Sequence, residues 1–234
     1  MPSGHRGAHP QDAELFHDDQ LPNMRQAVAD LGWLLERGYA PKSSLKLVGD
    51  RYALHQRQRI AVSRCTCPPT QLAHRLGKRI PAADLTGAVV HIDGLNVLTS
   101  IEAALGGGVL LQGPDGVVRD MASMHGNYRK VHETLPAATL IGEQLEHLGV
   151  SKAIWWLDRP VSNTGRLKTL LYALATERRW QWQVELVVDP DPVLIDGPGP
   201  VLSADSRILD EGSGWFDVVG SIVRLLHQPW LVQI

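Results

Sequence analysis

The sequence predicts an α/β domain with a parallel sheet, preceded by a small all-helical domain. In the first part of the chain, apolar residues recur at three- and four-residue spacing, which is typical of amphipathic helices. After Pro81, short runs rich in Val and Ile alternate with helical segments, as in strands that a parallel sheet buries on both faces. We therefore expect a frayed polar lead-in over residues 1–20, the helical domain over 21–80 and the α/β domain over 81–234.

Three helices are predicted in the domain over residues 21–80. The segment NMRQAVADLGWLLERGY places Met24, Val28 and Leu31 on one face and reaches Gly38, a residue type that often follows a helix. The segments SSLKLVGDRY and LHQRQRIAVSR are the second and third helices. The stretch CTCPPT then breaks the chain, because its two prolines cannot continue a helix.

Charge is divided unevenly along the chain. Residues 21–80 carry a net charge of +8 and residues 81–234 a net charge of −7, although the whole chain carries −2. Such a basic segment indicates either a surface for a polyanion or a part that attracts the acidic domain. On the first interpretation, Arg51, Arg57, Arg59 and Arg64 follow a nucleic-acid backbone. On the second, they form a solvated face docked on the acidic domain.

Four predicted strands share an aspartate at their end. They are GAVVHID (87–93), KAIWWLD (152–158), WQVELVVD (182–189) and GPVLSAD (199–205). A hairpin is expected between Gly106 and Gly116. Helices are expected over 121–150 and 164–180, with a last short helical segment within 215–226.

The strand-end aspartates predict a cation site. In an open parallel sheet, ligands bind at the carboxyl ends of the strands. Asp93, Asp158 and Asp205 would repel one another there, and hard oxygen ligands favour Mg²⁺ or Mn²⁺. Asp189 precedes a proline-rich loop, and we leave it out of the site. The alternative is that each aspartate caps a helix or forms a local turn, which is common after strands.

Polar residues near these aspartates predict a place for an anion. The loop LDRPVSNTGR supplies Arg159, Ser162, Asn163 and Arg166 close to a helix N-terminus, where backbone N–H groups favour oxyanions. Further candidates lie beside Asp205 and in the segment after the hairpin. They are Ser203, Ser206 and Arg129.

The sequence lacks the motifs of several other classes of protein. No run approaches the roughly 20 apolar residues of a membrane helix. The glycines at 106–108 lack the Gly-Lys-Ser/Thr of a phosphate-binding loop, and a second aspartate two residues after Asp93, as in dehalogenase-type phosphatases, is absent. Cys65 and Cys67 are too close for an easy disulfide, so we expect reduced thiols in a cytoplasmic protein.

Two motifs resemble those of PIN-like nucleases, particularly the NYN branch. VVHIDGLNVL resembles the opening strand of that superfamily, and VLSADSRILD its later Ser/Thr-x-Asp strand end. The whole arrangement resembles an uncharacterised bacterial and archaeal family in which a helical domain, here with RGYAPKSSLKLVGDRYAL (37–54), precedes a PIN-like domain. RDMASMHGNYRKVHET and LDRPVSNTGRL are typical of it as well.

The resemblance implies a three-layer PIN-like fold and a metal-dependent phosphodiesterase that acts on RNA. Asp93 and Asp205 would be metal ligands, Asp158 the third acid, and Asn96 would orient the first carboxylate or the substrate. Arg207 stands where the NYN pattern often has a second acid. A helix-borne acid is not identified, and the candidates are Glu102, Asp120, Glu133 and Glu143.

Three functional hypotheses follow. The first is a Mg²⁺- or Mn²⁺-dependent ribonuclease whose carboxylates activate water. The second, which Arg207 favours, is a non-catalytic PIN-like module that binds RNA or a nucleotide. The third is a phosphohydrolase for small molecules on the same scaffold. We expect RNA as the partner and no membrane association, and we leave a homodimer open.

Overall fold

The computed structural model describes residues 4–121 and 127–234, and its strands form two sheets. The strands are β1 (Val89–Asp93), β2 (Leu110–Gln112), β3 (Val118–Asp120), β4 (Lys152–Asp158), β5 (Trp182–Val187), β6 (Val201–Leu202) and β7 (Leu231–Gln233). The four predicted strands all form one sheet, while the hairpin and the C-terminal strand form the other.

The larger sheet is parallel throughout, with the strand order β5-β4-β1-β6. The chain adds β4 and then β5 on one side of β1, and returns to add β6 on the other side. The direction of strand addition therefore reverses between β1 and β6. In open parallel sheets such a reversal leaves a crevice at the carboxyl ends of the two strands, where ligands bind. The predicted α/β class with a parallel sheet is confirmed.

Helices precede the larger sheet and connect its strands. In the first part of the chain they are α1 (Asp12–Leu15), α2 (Leu21–Glu36), α3 (Pro41–Arg51), α4 (Gln56–Cys65) and α5 (Pro69–Gly77), followed by a 3-10 turn at Ala82–Leu85. In the second part they are α6 (Gly94–Leu105), α7 (Thr134–His147), α8 (Thr164–Arg178), α9 (Pro190–Asp196), α10 (Ser206–Glu211) and α11 (Val218–Val223).

Alternate side chains of the strands face two different apolar clusters. Val90 and Ile92 of β1 lie fully buried in the main core with Trp155 of β4. His91 points to the other side, where its ring stacks on Trp156 at a centroid distance of 6.1 Å. Trp156 packs there against the cluster formed by α9, β6 and α10. Apolar groups therefore cover both faces of the sheet, which explains the near-continuous apolar strands.

The helical segment and the smaller sheet share one core. A hairpin is present, but it extends beyond the predicted Gly116: β2 pairs antiparallel with β3 at Val118–Asp120, and β7 adds to β2 in parallel. Leu111 of β2 and Val232 of β7 are buried in the same cluster as Met24 of α2 and Val62 of α4. The smaller sheet therefore joins the helical segment to the α/β part of the chain.

Residues 4–20 differ from the frayed lead-in that we expected. Helix α1 lies in this segment, and Phe16 after it is buried in the helical core. Arg6 donates to the Glu102 carboxylate at 2.6 Å, and Arg57 forms two bonds of 2.6 and 2.8 Å with the buried Asp12. Ion pairs with distant residues hold the segment, and its polar composition alone does not reveal them.

Some predicted boundaries also differ from the structure. β5 ends at Val187, and β6 contains two residues because the chain leaves the sheet at Ser203 to begin the next helix. The predicted helix over 121–150 is α7, which begins at Thr134; residues 122–126 lie outside the described residues. β7 was not predicted, because three residues are too few for an alternation pattern.

The two cysteines are buried and do not form a disulfide. Burial disfavours the thiolate and raises the pKa of Cys65 to about 12 and that of Cys67 to about 11. Both therefore behave as apolar core groups rather than as nucleophiles. In the ranges that the structure describes, no helix is long and apolar enough to cross a membrane.

Gly94 separates the carboxylate of Asp93 from α6 at a place with no room for a side chain. A Cβ at Gly94 would lie 2.6 Å from Leu157 Cδ2 and 2.9 Å from the carbonyl oxygen of Trp156. We expect Gly94→Ala to lower the free energy of unfolding by about 1–3 kcal/mol, because overpacking forces the backbone apart. Thermal unfolding measures this loss.

Gly77→Ala is the matched control for this substitution. Gly77 also lies in a helix, but a Cβ there would have no atom within 4 Å. We expect the Gly77→Ala variant to keep the melting temperature of the wild type or to exceed it slightly, because alanine favours the helix. Equal melting temperatures for Gly94→Ala and the wild type would contradict the close approach of β1 and β4.

Candidate active site at the carboxyl edge of the sheet

A cleft of about 450 Å³ opens at the carboxyl edge of the larger sheet, where the strand order reverses. Five carboxylates line it, from β1, β3, β4, α9 and the loop between β6 and α10. They are Asp93, Asp120, Asp158, Asp191 and Asp205. The other lining residues are Ser63, Arg64, Leu95, Asn96, Thr99, Ser100, Arg119, Ala204 and Ser206.

Asp93 is the most strongly perturbed of these carboxylates. It is the last residue of β1 and is buried, with 8% of its surface exposed. Burial raises its pKa to about 7, and the nearby charges of Asp205, Asp158 and Asp191 act in the same direction. The hydrogen bond from Ser203 acts in the opposite direction. Near neutral pH, Asp93 is therefore poised between its protonated and charged forms.

Hydrogen bonds fix the loop after β6 against the end of β1. Ser203 Oγ donates to Asp93 Oδ2 at 2.7 Å, and the backbone N–H of Asp205 donates to Ser203 Oγ at 3.0 Å. On the other side of the loop, the backbone N–H of Ala204 donates to Asn96 Oδ1 at 3.0 Å. Asn96 therefore orients the loop that carries Asp205, rather than Asp93 itself.

Asp205 both caps a helix and lines the cleft. Its Oδ1 accepts hydrogen bonds from the backbone N–H groups of Arg207 at 2.8 Å and Ile208 at 3.3 Å. The two interpretations of a strand-end aspartate are therefore compatible at this position. Asp189, which we left out, caps α9 through the N–H of Asp191 at 3.1 Å and is not among the lining residues.

Asp158 and Asp191 also have raised pKa values. Burial is the main cause for both. The charge of Asp189 adds to the shift at Asp158, and the charges of Asp205 and Asp189 add to the shift at Asp191. Arg207, whose Nη1 lies 3.5 Å from Asp191 Oδ2, partly offsets the shift at Asp191. Burial is thus the main reason why these two carboxyl groups resist ionisation, and neighbouring acids add to it.

Asp120 enters the cleft from β3 and contacts the helical segment. Its Oδ2 accepts from Ser100 Oγ at 2.8 Å and from Thr99 Oγ1 at 3.3 Å. Arg64 of α4 donates to the Asp120 backbone carbonyl and lies 3.4 Å from its Oδ1. Among the four candidates for a further acid, Asp120 is the one that lies in the cleft, and it lies on a strand rather than a helix.

Glu102 and Glu133 belong to a different cluster. Glu102 is fully buried in α6, where it accepts hydrogen bonds of 2.6 Å from Tyr128 and Thr134 and pairs with Arg6. Glu133 lies 2.5 Å from His5. The fourth candidate, Glu143, is half exposed and pairs with Arg178. The structure brings none of these three acids into the carboxylate cleft.

A buried ion network fastens the helical segment to this cleft. Arg75 of α5 donates to Asp210 of α10 at 2.9 Å and to Asp115 in the β2–β3 turn at 2.8 Å. Arg119 of β3 binds the same Asp115 carboxylate at 2.6 and 3.0 Å. It also donates to the backbone carbonyl of Ala204 at 3.0 Å. The network therefore holds the loop after β6 from the side opposite to β1.

The predicted anion-binding residues of the β4–α8 loop lie away from the carboxylate cleft. Arg159 donates to the Leu186 carbonyl at 2.8 Å, and the Ser162 carbonyl accepts from the Tyr128 N–H at 3.1 Å. Asn163 and Arg166 line a second cleft together with Arg129. Ser203 and Ser206 do lie at the carboxylate cleft.

Three of the four arginines expected to follow a nucleic-acid backbone form ion pairs within the first part of the chain. Arg57 binds Asp12, and Arg59 lies 2.9 Å from Asp50. Arg51 lies 3.6 Å from Asp30 and remains largely exposed. The contacts of Arg64 and Arg75 with the acidic part agree with the second interpretation, in which the two oppositely charged parts attract each other.

Sequence reasoning missed Asp191 as a residue of the cleft, and it named Arg64 as a nucleic-acid contact without placing it there. Asp191 lies in the proline-rich loop that we set aside, only two residues after Asp189. The sequence does contain a pattern that could have identified Asp191: it is a second acid soon after the end of a predicted strand. Arg64 has no comparable signal, because its place at the cleft depends on how α4 packs against the hairpin.

A ready-made metal site is not present among the residues that the structure describes. Within residues 4–121 and 127–234, no three His, Cys, Asp or Glu side chains are grouped closely enough to hold an ion. Mg²⁺ commonly uses only one or two carboxylates and keeps several waters. The mutual repulsion in the cleft is the electrostatic condition that such a cation would relieve.

Comparison with known proteins gives the family. Residues 82–221 match the family model described as Domain of unknown function (DUF5616). The chain belongs to the DUF5616 family. Residues 23–78 match a second model, described as Protein of unknown function (DUF434). No solved structure matches the DUF5616 chain.

An archaeal relative supports this assignment. The DUF5616 chain is 30% identical over 145 residues to Uncharacterized protein MJ0935 of Methanocaldococcus jannaschii. The match covers 62% of this chain and 69% of that protein. The predicted membership of an uncharacterised family with a preceding second segment is confirmed, and the PIN-like nature of the α/β part stays a prediction.

The raised pKa of Asp93 predicts how stability depends on pH. The folded-state pKa of about 7 lies above the ordinary value of about 3.9. Between these values the folded state binds more protons than the unfolded state, so stability falls as pH rises from 4 to 7. Asp93→Asn removes this loss and can still accept the bond from Ser203. One pKa unit is worth about 1.4 kcal/mol, so the loss is at most about 4 kcal/mol. We expect Asp93→Asn to raise the melting temperature at pH 8 by up to about 10 °C and to leave it unchanged at pH 4.

Asp196→Asn is the matched control in this measurement, because Asp196 is exposed and lies outside the cleft. Thermal unfolding in a chelating buffer keeps stray cations from neutralising the cleft. A melting temperature of Asp93→Asn that falls below that of the wild type at pH 8 would show that Asp93 is stabilised as an anion.

Proposed function

We propose that this DUF5616 protein is a Mg²⁺- or Mn²⁺-dependent phosphodiesterase that cleaves RNA. The observation that supports the proposal is the convergence of five carboxylates on one cleft at the reversal of strand order. Burial, with the charge of neighbouring acids, raises the pKa values of three of them, Asp93, Asp158 and Asp191. Structural acids are normally paired with cations or hydrogen-bond donors, so this concentration favours a functional site.

The negative charge of the cleft would oppose the entry of a phosphodiester. A phosphodiester is itself an anion, and a cleft lined by five acids would repel it unless a cation lay between them. One or two of the carboxylates of Asp93, Asp158 and Asp205 would hold that cation, with water at its remaining positions. When bound, Mg²⁺ or Mn²⁺ would supply the Lewis acidity that activates water and stabilises the charge at phosphorus.

The surrounding residues would position the carboxylates that hold the cation. Ser203 holds one oxygen of Asp93, and Asn96 holds the loop that carries Asp205. With its pKa of about 7, Asp93 can hold a proton in the metal-free protein and must release it to serve as a ligand. Arg64, at the rim between α4 and β3, is the nearest contribution of the helical segment.

RNA is proposed as the substrate because of the resemblance of VVHIDGLNVL and VLSADSRILD to PIN-like nucleases. The second candidate is a non-catalytic module that binds RNA or a nucleotide. Arg207 in place of a second acid favours it, as does the absence of three grouped ligands among the described residues. The third candidate, a small-molecule phosphohydrolase, would act on nucleotides but not on polymers.

Metal-dependent cleavage of RNA tests the proposal. We expect the wild type to cleave a mixed RNA substrate in the presence of Mn²⁺ and not in the presence of a chelator. Asp93→Asn should lower the rate at least 100-fold, because it removes both a carboxylate ligand and a proton-holding group. Asp196→Asn, the same substitution outside the cleft, should keep the wild-type rate.

Each candidate gives a different result in this assay. Equal RNA binding by the wild type and Asp93→Asn, without cleavage by either, would support the module and overturn the proposed activity. Turnover of mononucleotide substrates without cleavage of RNA would support the small-molecule hydrolase. RNA cleavage that Asp93→Asn leaves unchanged would place the reaction outside this cleft.

A further inference from the structure

A second cleft, of about 730 Å³, lies at the start of α8. It shares no lining residue with the carboxylate cleft. The two are connected by the chain itself, because Asp158 lines the first and Asn163 the second. The lining residues of the second cleft are Gly4, Tyr128, Arg129, Lys130, Thr134, Asn163, Arg166, Leu167, Thr169, Leu170 and Ala173.

Three cations of this cleft have no acidic partner. Arg129, Lys130 and Arg166 are exposed, and none of them forms an ion pair with any acid that the structure describes. This differs from Arg57 and Arg75, whose charges are satisfied by aspartates within the fold. The positive charge of the second cleft is therefore available to a ligand.

The beginning of α8 adds to the positive potential of the cleft. Asn163 precedes this 15-residue helix in a left-handed conformation with φ of 72°, and it makes no side-chain cap. Its Nδ2 instead donates to Asn127 Oδ1 at 3.0 Å and to the Tyr128 carbonyl at 2.9 Å. The first turn of α8 thus lacks a side-chain acceptor at the end where its dipole is positive.

One wall of the cleft is apolar. Leu167, Leu170 and Ala173 lie along α8 at three-residue spacing, so they share one side of the helix. Among the residues that the structure describes, no carboxylate lines this cleft. The cleft therefore combines three cations with an apolar wall, and the ligand that it fits is an anion with an apolar or aromatic body.

We propose that the second cleft binds the phosphate monoester of a nucleotide-like ligand, with the phosphate at Arg129, Lys130 and Arg166. A phosphate monoester carries a charge of about −2 at neutral pH, which suits several cations better than the single charge of a carboxylate. The guanidinium groups can each donate two hydrogen bonds to it. In this arrangement the base of the nucleotide packs against Leu170 and Ala173 of the apolar wall.

This inference does not depend on the proposed phosphodiesterase, because it uses none of the residues of the carboxylate cleft. Free nucleotides and the 5′ end of an RNA chain both present the required chemistry. Asn163 lies five residues after Asp158, so their Cα atoms are at most about 18 Å apart. A chain held by its terminal phosphate in the second cleft would therefore lie within a few nucleotides of the carboxylates.

Calorimetric titration of the full-length protein with adenosine monophosphate, in a chelating buffer, tests the inference. We expect saturable binding of adenosine monophosphate and at least 10-fold weaker binding of adenosine. Arg166→Gln and Lys130→Gln should each weaken the binding of adenosine monophosphate at least 5-fold. Both side chains are exposed, so we expect these variants to fold as the wild type does.

Two further variants separate this site from other parts of the protein. Arg178→Gln removes a cation from the far end of the same helix and should bind adenosine monophosphate as the wild type does. Asp93→Asn should also bind it normally, whatever the outcome of the RNA cleavage assay. A failure of the second cleft can therefore be distinguished from a failure of the proposed activity.

Short oligonucleotides identify the source of the phosphate. If hexa-adenylate with a 5′ phosphate binds at least 10-fold more tightly than adenosine monophosphate, while its 5′-hydroxyl form does not, the ligand is the end of an RNA chain. If adenosine monophosphate binds as tightly as the phosphorylated hexamer or more tightly, the ligand is a free nucleotide. The inference is overturned if neither probe binds, if adenosine binds as well as its monophosphate, or if Arg166→Gln and Lys130→Gln change nothing.

Discussion

The ion network around Arg75 is the interaction on which the arrangement of the carboxylate cleft depends. It joins three elements that are distant in the sequence: α5, the β2–β3 turn and α10. Burial acts to raise the pKa of Asp115, but hydrogen bonds and charge from Arg119 more than offset it, so the pKa ends below its ordinary value. Asp115 is thus held as an anion by two arginines. Removing one member of such a buried cluster typically costs about 3–5 kcal/mol, because the remaining charges lose their partners.

The network also extends to the carboxylate cleft, because Arg119 lines that cleft. One of its arginines holds the Ala204 carbonyl, while Asn96 holds the N–H of the same residue. The loop that carries Asp205 is therefore fixed from two directions. Asp205 in turn caps α10, which carries Asp210, a member of the network. Side chains that stabilise the fold and side chains that line the cleft are in this way parts of one connected set of hydrogen bonds.

The sequence predicts the sheet and the aspartates at its edge, because both follow from local patterns. Runs such as VVHID and KAIWWLD are buried strands by composition, and parallel pairing places their ends together. The cleft contains Asp93, Asp158 and Asp205, as this reasoning expects. The individual roles of these residues in catalysis stay predictions.

The ion pairs and side-chain positions that the sequence did not predict depend on tertiary packing. Arg57 and Arg59 belong to a basic segment, but nothing in their spacing indicates that Asp12 and Asp50 neutralise them. Asn163 and Arg166 follow a strand that ends at the first cleft, yet the turn of the chain at Asn163 directs them to the second. A loop five residues long is enough to carry a side chain from one site to another.

The shared core of α2, α4 and the smaller sheet has a consequence for how this protein can evolve. Leu111 and Val232 face Met24 and Val62, so neither matched segment closes its own apolar surface. A gene that lost the first segment would encode a chain whose β2–β7 face is open to water, with a strong tendency to aggregate. The two segments match separate family models, yet each needs the other to bury its apolar surface.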